Sequence, residues 1–86
     1  MPYRLEITSR AEKQIDRLDG IVRERVVRAI GLLAITPRPH GCKKLVARDD
    51  WRIKVGTYRI IYEIHDRVLL IKVVRVSHRS GAYRDR

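Results

Sequence analysis

Cationic side chains crowd the second half of the chain. Arg52, Lys54 and Arg59 fall within one short stretch, and Arg75, His78, Arg79 and Tyr83 form a second group. An arginine offers a planar fork that grips phosphate oxygens in pairs, and a lysine offers a point charge. His78 can exchange protons near neutral pH. Tyr83 could do so if neighbouring cations lowered its pKa. This combination suits RNA, which brings its own nucleophile, the 2′-hydroxyl beside the scissile phosphate. Cleavage then needs a base for the 2′ proton, an acid for the leaving 5′ oxygen, and cations around the charged transition state. No metal and no cofactor is expected.

Other chemistries fit less well. The carboxylates form no metal-ligand spacing; Asp49 and Asp50 read as part of a turn. His40 and Cys42 lack the second pair that a zinc site requires. The glycines are scattered and build no phosphate-cradling loop. Cys42 has no recognisable His and Asn/Asp partners and reads as a packed thiol. Trp51 falls in an apolar alternation and reads as core rather than as a stacking platform.

Composition narrows the partner. The chain has 86 residues, 20 Lys+Arg against 10 Asp+Glu, a net charge of +10 and a pI near 10.7. Fifteen of the basic residues are arginines. A polyanion is the expected partner, nucleic acid before acidic protein or lipid. The length predicts one small domain over 1–86 with a modest core. The longest apolar runs, Leu32–Ile35 and Val68–Ile71, are far below the ~20 residues of a membrane span, so no membrane partner is expected. A lone cysteine and an N-terminus without an apolar secretory segment predict a cytoplasmic protein.

Patterning supplies the elements that would position these groups. Tyr3, Leu5 and Ile7 alternate with Arg4 and Glu6, predicting a short strand with one buried face. Ser9 and Glu12 have capping-box spacing at the start of a helix carrying Ala11, Ile15 and Leu18. Asp19-Gly20 breaks it. A second helix is expected from about Ile21 to Ile35, with Val22, Val26, Ala29, Ile30, Leu33 and Ala34 inward and Arg23, Glu24, Arg25 and Arg28 outward. Pro37 and Pro39 end it. Strands are then expected at Cys42–Ala47, Trp51–Val55, Tyr58–Ile64 and Arg67–Val76, with Gly56-Thr57 and His65-Asp66 as tight turns. The fold class is α+β: a strand, a helical hairpin and an antiparallel sheet packed on the helices.

If both turns are two residues long, one sheet face collects Trp51, Ile53, Val55, Tyr58, Ile60, Tyr62, Ile64, Leu69, Ile71 and Val73 and belongs under the helices. The other face places Lys54, Arg59 and Lys72 in one cross-strand row. Like charges directly opposite cost a sheet up to ~1 kcal/mol. A bound phosphate would reverse that sign, whereas without one the face is only a solvated surface. A helical turn after the last strand would put Arg79 and Tyr83 on one side at i, i+4.

The ordered set Pro37-Arg38-Pro39, Gly41, Lys43-Lys44-Leu45, Trp51 to Val55, Tyr58-Arg59, Val74-Arg75-Val76, His78-Arg79 and Tyr83 resembles the RelE/ParE superfamily of toxins from toxin–antitoxin systems, and within it the RelE-like ribosome-dependent mRNA interferases. The resemblance spans almost the whole chain. It implies an active face on the helix-free side of the sheet. It implies Tyr83 as general base, Arg79 as acid or charge stabiliser, and Arg59 as phosphate clamp. Arg52 and Lys54 would stabilise charge and depress the Tyr83 pKa. Arg52 stands where lysine is common in that family, and Arg79 lies closer to Tyr83 than in the best-known members, which gives His78 a route to a proton-transfer role.

The resulting expectation is a metal-independent endoribonuclease toxin acting on mRNA in the ribosomal A site. Lys43, Lys44, Lys72 and Arg75 would contact RNA, and Arg23, Arg25 and Arg28 would meet the ribosome. A small acidic RelB-like antitoxin would be its cognate partner. The alternatives are a ParE-like inhibitor of DNA gyrase without chemistry of its own, and a non-catalytic basic binding module.

Overall fold

The computed structural model describes residues 2–46 and 49–79. Among them the chain runs β1 (Arg4–Ile7), α1 (Ser9–Asp16), α2 (Gly20–Leu33), β2 (Lys43–Lys44), β3 (Asp50–Val55), β4 (Tyr58–His65), a 3-10 turn (Asp66–Val68) and β5 (Leu70–His78). The strands form one sheet in the order β1-β5-β4-β3-β2. β1 runs parallel to β5 and every other pairing is antiparallel.

Both helices cover one sheet face, which gives the expected α+β arrangement. Ala11, Ile15 and Leu18 of the first helical segment and Val26, Ile30 and Leu33 of α2 meet Ile53, Ile60, Tyr62, Ile71, Val73 and Val76 of the sheet. The buried Tyr62 hydroxyl donates to the Pro37 carbonyl at 2.8 Å, tying the loop after α2 to the central strand. Burial raises the Tyr62 pKa, so that hydroxyl stays protonated. No helix among the described residues is long and apolar enough to cross a membrane.

Several expectations are corrected. The α1 cap is Thr8 rather than Ser9: its hydroxyl accepts from the Ala11 amide at 3.1 Å, and Ser9 is the first helical residue. The second helix begins and ends slightly earlier than expected, at Gly20 and Leu33. β1 lies at the sheet edge, so Leu5 and Ile7 remain 42% and 36% exposed instead of forming a buried face. The strand expected at Cys42–Ala47 shrinks to Lys43–Lys44, Ala47 lying outside the described residues.

The largest correction concerns the β4–β5 connection. It is not a two-residue turn. The chain makes the 3-10 turn and passes through Leu69 in a left-handed conformation (φ 52°) before pairing begins at His65 and Leu70. Ile64 therefore faces Ile71, four residues beyond the Arg67 expected. An even shift keeps each side chain on its face, so Ile71 and Val73 still point to the helices. It does change which residues face each other. Lys72 lies between Glu63 and Glu6, away from Arg59.

Candidate nucleic-acid interface

The β3–β4 hairpin follows its sequence. Gly56 takes φ +60° and Thr57 has no positive φ, the sign pattern of a type II′ turn that matches strand twist. Val55 pairs with Tyr58, and Lys54 therefore pairs with Arg59. On its other side Arg59 faces Ser77. The row on the helix-free face is Lys54, Arg59 and Ser77. The neighbouring row is Lys43, Arg52, Ile61 and Arg75.

Arg75 and Ser77 reach this face because β5 is irregular. Tyr62 pairs with Val73, but Ile61 pairs with Arg75, which leaves Val74 as an extra residue. Strict alternation would send Arg75 toward the helices and Val76 outward. The bulge restores Val76 to the core, 3% exposed, and turns Arg75 and Ser77 away from it. Burying an unpaired guanidinium would cost several kcal/mol, on the order of a desolvated ion, so the sequence favours this slip. Past the strand end, the Arg79 amide donates to the Thr57 carbonyl at 2.7 Å. That bond places Arg79 beside the hairpin tip.

Neither row contains a carboxylate. Acidic groups gather one row farther along, where Asp50, Glu63, Lys72 and Glu6 are consecutive cross-strand neighbours. The face is thus basic toward the Gly56-Thr57 end and acidic toward the other. Within the basic part, Arg52 Nε and Ser77 Oγ are shut off from solvent with no hydrogen bond, and Arg59 Nε and Nη1 are also shut off. Removing cations from water strengthens their attraction to an arriving anion. Ile61, only 5% exposed, separates Arg52 from Arg75. Long arginine stems can lie over such an apolar residue while their charged heads extend beyond it.

Other expected site residues lie elsewhere. His78 pairs with Tyr58 on the opposite face from Arg59 and packs edge-to-face on its ring at 5.4 Å. Lys44 pairs with Trp51 and sits 3.7 Å from Asp49. Arg23 donates to the Leu18 carbonyl at 2.9 Å, and Arg28 is exposed on α2. Arg25 is closer to the cluster: its guanidinium lies 3.6 Å from where a Cβ on Gly56 would stand, at the hairpin tip. Tyr83, with Arg84 and Arg86, lies outside the described residues.

At the far end of the sheet a second polar group braces the loop after α2. Arg38 holds both carboxylate oxygens of Asp66, at 2.9 and 3.4 Å, and Tyr3 donates to Asp66 at 2.6 Å. These bonds, Arg38 first, hold the Asp66 carboxyl below its usual pKa. Arg38 also lies over the Trp51 ring at 5.1 Å, and Trp51 packs against the core as expected. Among the described residues no three His, Cys, Asp or Glu side chains converge as metal ligands.

Ser77 was not anticipated as a site residue, nor was the phase change that exposes it. The signal was present: inward positions move from Ile71 and Val73 to Val76, and only an extra residue reconciles them.

Comparison with known proteins agrees with this architecture. Residues 5–83 match the family model described as ParE toxin of type II toxin–antitoxin system, parDE. Toxin RelG of Mycobacterium tuberculosis is 32% identical over 98% of this chain and 99% of its own. The toxin–antitoxin complex RelBE2 of the same organism matches with a TM-score of 0.80 at 29% identity, covering 92% of this chain and all of that one (100%). The archaeal RelE–RelB complex of Pyrococcus horikoshii gives a TM-score of 0.84 at 26% identity, covering 95% and 100%. A mutant E. coli toxin RelE in the free state gives 0.81 at 26%, covering 96% and 90%.

Proposed function

The chain belongs to the RelE/ParE superfamily of toxins from type II toxin–antitoxin systems, and from that premise we propose that it is an endoribonuclease that cuts mRNA in the ribosomal A site. The observation that carries this reading is the pair of basic rows on the helix-free face, Lys54-Arg59-Ser77 and Lys43-Arg52-Ile61-Arg75, with Arg79 clipped beside them. Such a face is unfavourable for the sheet alone and favourable once a phosphodiester lies across it.

In the proposed mechanism Arg59 clamps the scissile phosphate. Arg52, Lys54 and Arg75 stabilise the charge that grows on its oxygens as the 2′-hydroxyl attacks. Arg79 neutralises or protonates the leaving 5′ oxygen, and Tyr83 takes the 2′ proton. The substrate supplies the nucleophile, so the reaction as proposed uses no metal. His78, turned to the other face and packed edge-to-face on Tyr58, supports the strand end rather than the proton path.

The ribosome supplies the positioning that a small open face lacks. Arg25 at the hairpin tip and the exposed Arg28 are the peripheral cations proposed to meet ribosomal RNA. The antitoxin is proposed to be a small acidic, RelB-like protein, drawn by the +10 charge. An apolar cleft of about 530 Å³ between α2 and β3, lined by Leu32, Leu33, Ile53 and Val55 and reaching Lys54, offers it a seat next to the cluster.

The test is incubation with programmed ribosomes and mapping of the mRNA ends. Site-specific cuts, reduced at least about a hundredfold by Arg59→Ala, are the expected result. Intact mRNA under conditions where a known interferase cuts would overturn the proposal. DNA gyrase supercoiling assayed in parallel should be unaffected.

A further inference from the structure

We infer that Gln14 and Thr8, which lie outside the cationic rows, are positioning residues for them; this rests on reading that face as the RNA site. β1 covers the outer edge of β5 only from Leu70 to Val73. Beyond Val73 the edge has no strand partner among the described residues, and this is where the bulge inserts Val74. Exposed or unfilled backbone groups would let the end of the strand fray.

The β1–α1 junction supplies the missing partners. The Thr8 amide donates to the Val73 carbonyl at 3.0 Å. The Thr8 hydroxyl donates to the Val74 carbonyl at 3.2 Å while accepting from the Ala11 amide. The Val76 amide donates to Gln14 Oε1 at 2.7 Å. One hydroxyl therefore both starts α1 and holds the bulge. Ala11 and Ile15, both buried, press α1 onto the sheet and set Gln14 at the strand edge.

Val76 stands between Arg75 and Ser77, which face the other way. Its amide is held at the outer edge of β5, three residues before the Arg79–Thr57 clip. If Gln14 lets go, β5 can peel from β4 at its end. Ser77 then drifts from Arg59, and Arg79 drifts from the hairpin tip. A displacement of about 1 Å at a reacting centre is enough to cost rate. Gln14 and Thr8 hold the backbone at Val73, Val74 and Val76 and lie outside the rows, so the loss should fall on turnover rather than on RNA capture.

The experiment compares the whole protein with Gln14→Leu and Gln14→Glu, reading single-amide hydrogen exchange and cleavage on programmed ribosomes. In Gln14→Leu the Val76 amide should exchange faster while Val26 and Ile30 keep their protection. Its kcat should fall about tenfold or more with KM within about twofold. Gln14→Glu keeps an acceptor oxygen and should recover most of both. Wild-type kcat and Val76 protection in Gln14→Leu would overturn the inference. So would a Gln14→Glu protein as slow as Gln14→Leu, an effect confined to KM, or a loss of protection that extends to Val26 and Ile30. If the wild-type protein does not cut, the nuclease reading fails alone, and exchange at Val76 still decides whether Gln14 holds the strand.

Discussion

Lys54 and Arg59 face each other directly across the β3–β4 ladder, one step from the Gly56-Thr57 turn and with no carboxylate in their row. Two cations at that spacing repel, and the sheet tolerates them because its other interactions outweigh the cost. Replacing the exposed Lys54 by alanine should therefore leave stability unchanged or raise it by up to ~1 kcal/mol. The same variant should lose mRNA cleavage. Urea unfolding and ribosomal cleavage on one preparation would check both; a clear drop in stability with full activity would contradict the assignment.

Lys72 provides the contrast. It lies between Glu63 and Glu6, not in the row of Arg59. Lys72→Ala should leave cleavage near the wild-type level and cost at most ~1 kcal/mol of stability, through loss of its cross-strand acidic partners. Lysine-to-alanine scanning of cleavage rate would detect a loss at Lys72 comparable to that at Lys54, which the register does not allow.

Salt should separate contact from fold. Each phosphate contact to single-stranded RNA adds about 0.7 to the slope of log affinity against log salt. Arg52→Gln and Arg75→Gln should each lower that slope by about this amount, measured by titration with a non-cleavable 2′-deoxy substrate. Arg23→Gln, whose guanidinium is engaged with the Leu18 carbonyl, should leave it unchanged.

Asp66 should give a pH signature away from the site. Its carboxyl is held below its usual pKa, first by Arg38 and then by Tyr3. Between the two values the unfolded chain binds more protons, so stability rises with pH there. The contribution is complete above the ordinary carboxylate pKa of about 3.9 and disappears as pH falls through the lowered one. Asp66→Asn should flatten the pH dependence of unfolding midpoints below the ordinary carboxylate pKa of about 3.9, and the gap to wild type should close at the acid end.

The parts of the fold that were legible in the sequence are those encoded locally. Gly56 announces a tight turn, the turn sets the Lys54–Arg59 pairing, and apolar spacing marks Val26, Ile30 and Leu33 as the inward face of α2. The β4–β5 connection was not legible because its left-handed residue is Leu69, where a leucine pays ~1 kcal/mol or more for that conformation. The Ser9 cap was misplaced by one residue because neighbouring threonine and serine are equivalent in pattern; only Thr8 also has the Val74 carbonyl within reach. The candidate site is legible in the sequence as a basic sheet face built on Lys54 and Arg59. The places of Arg75 and Ser77 on it depend on the bulge, and the bulge is held by hydrogen bonds from residues more than sixty positions away, at Thr8 and Gln14.

The link between the Arg79 amide and the Thr57 carbonyl gives the β4–β5 ribbon a second fastening, opposite the turn that joins the strands. A ribbon fastened at both ends resists fraying, whereas in the stretch 36–49 the described residues join the sheet ladder only at Lys43 and Lys44. Trypsin applied to the folded protein should therefore nick that stretch first, although Arg59, Arg67, Lys72 and Arg75 provide four cleavage points within the ribbon.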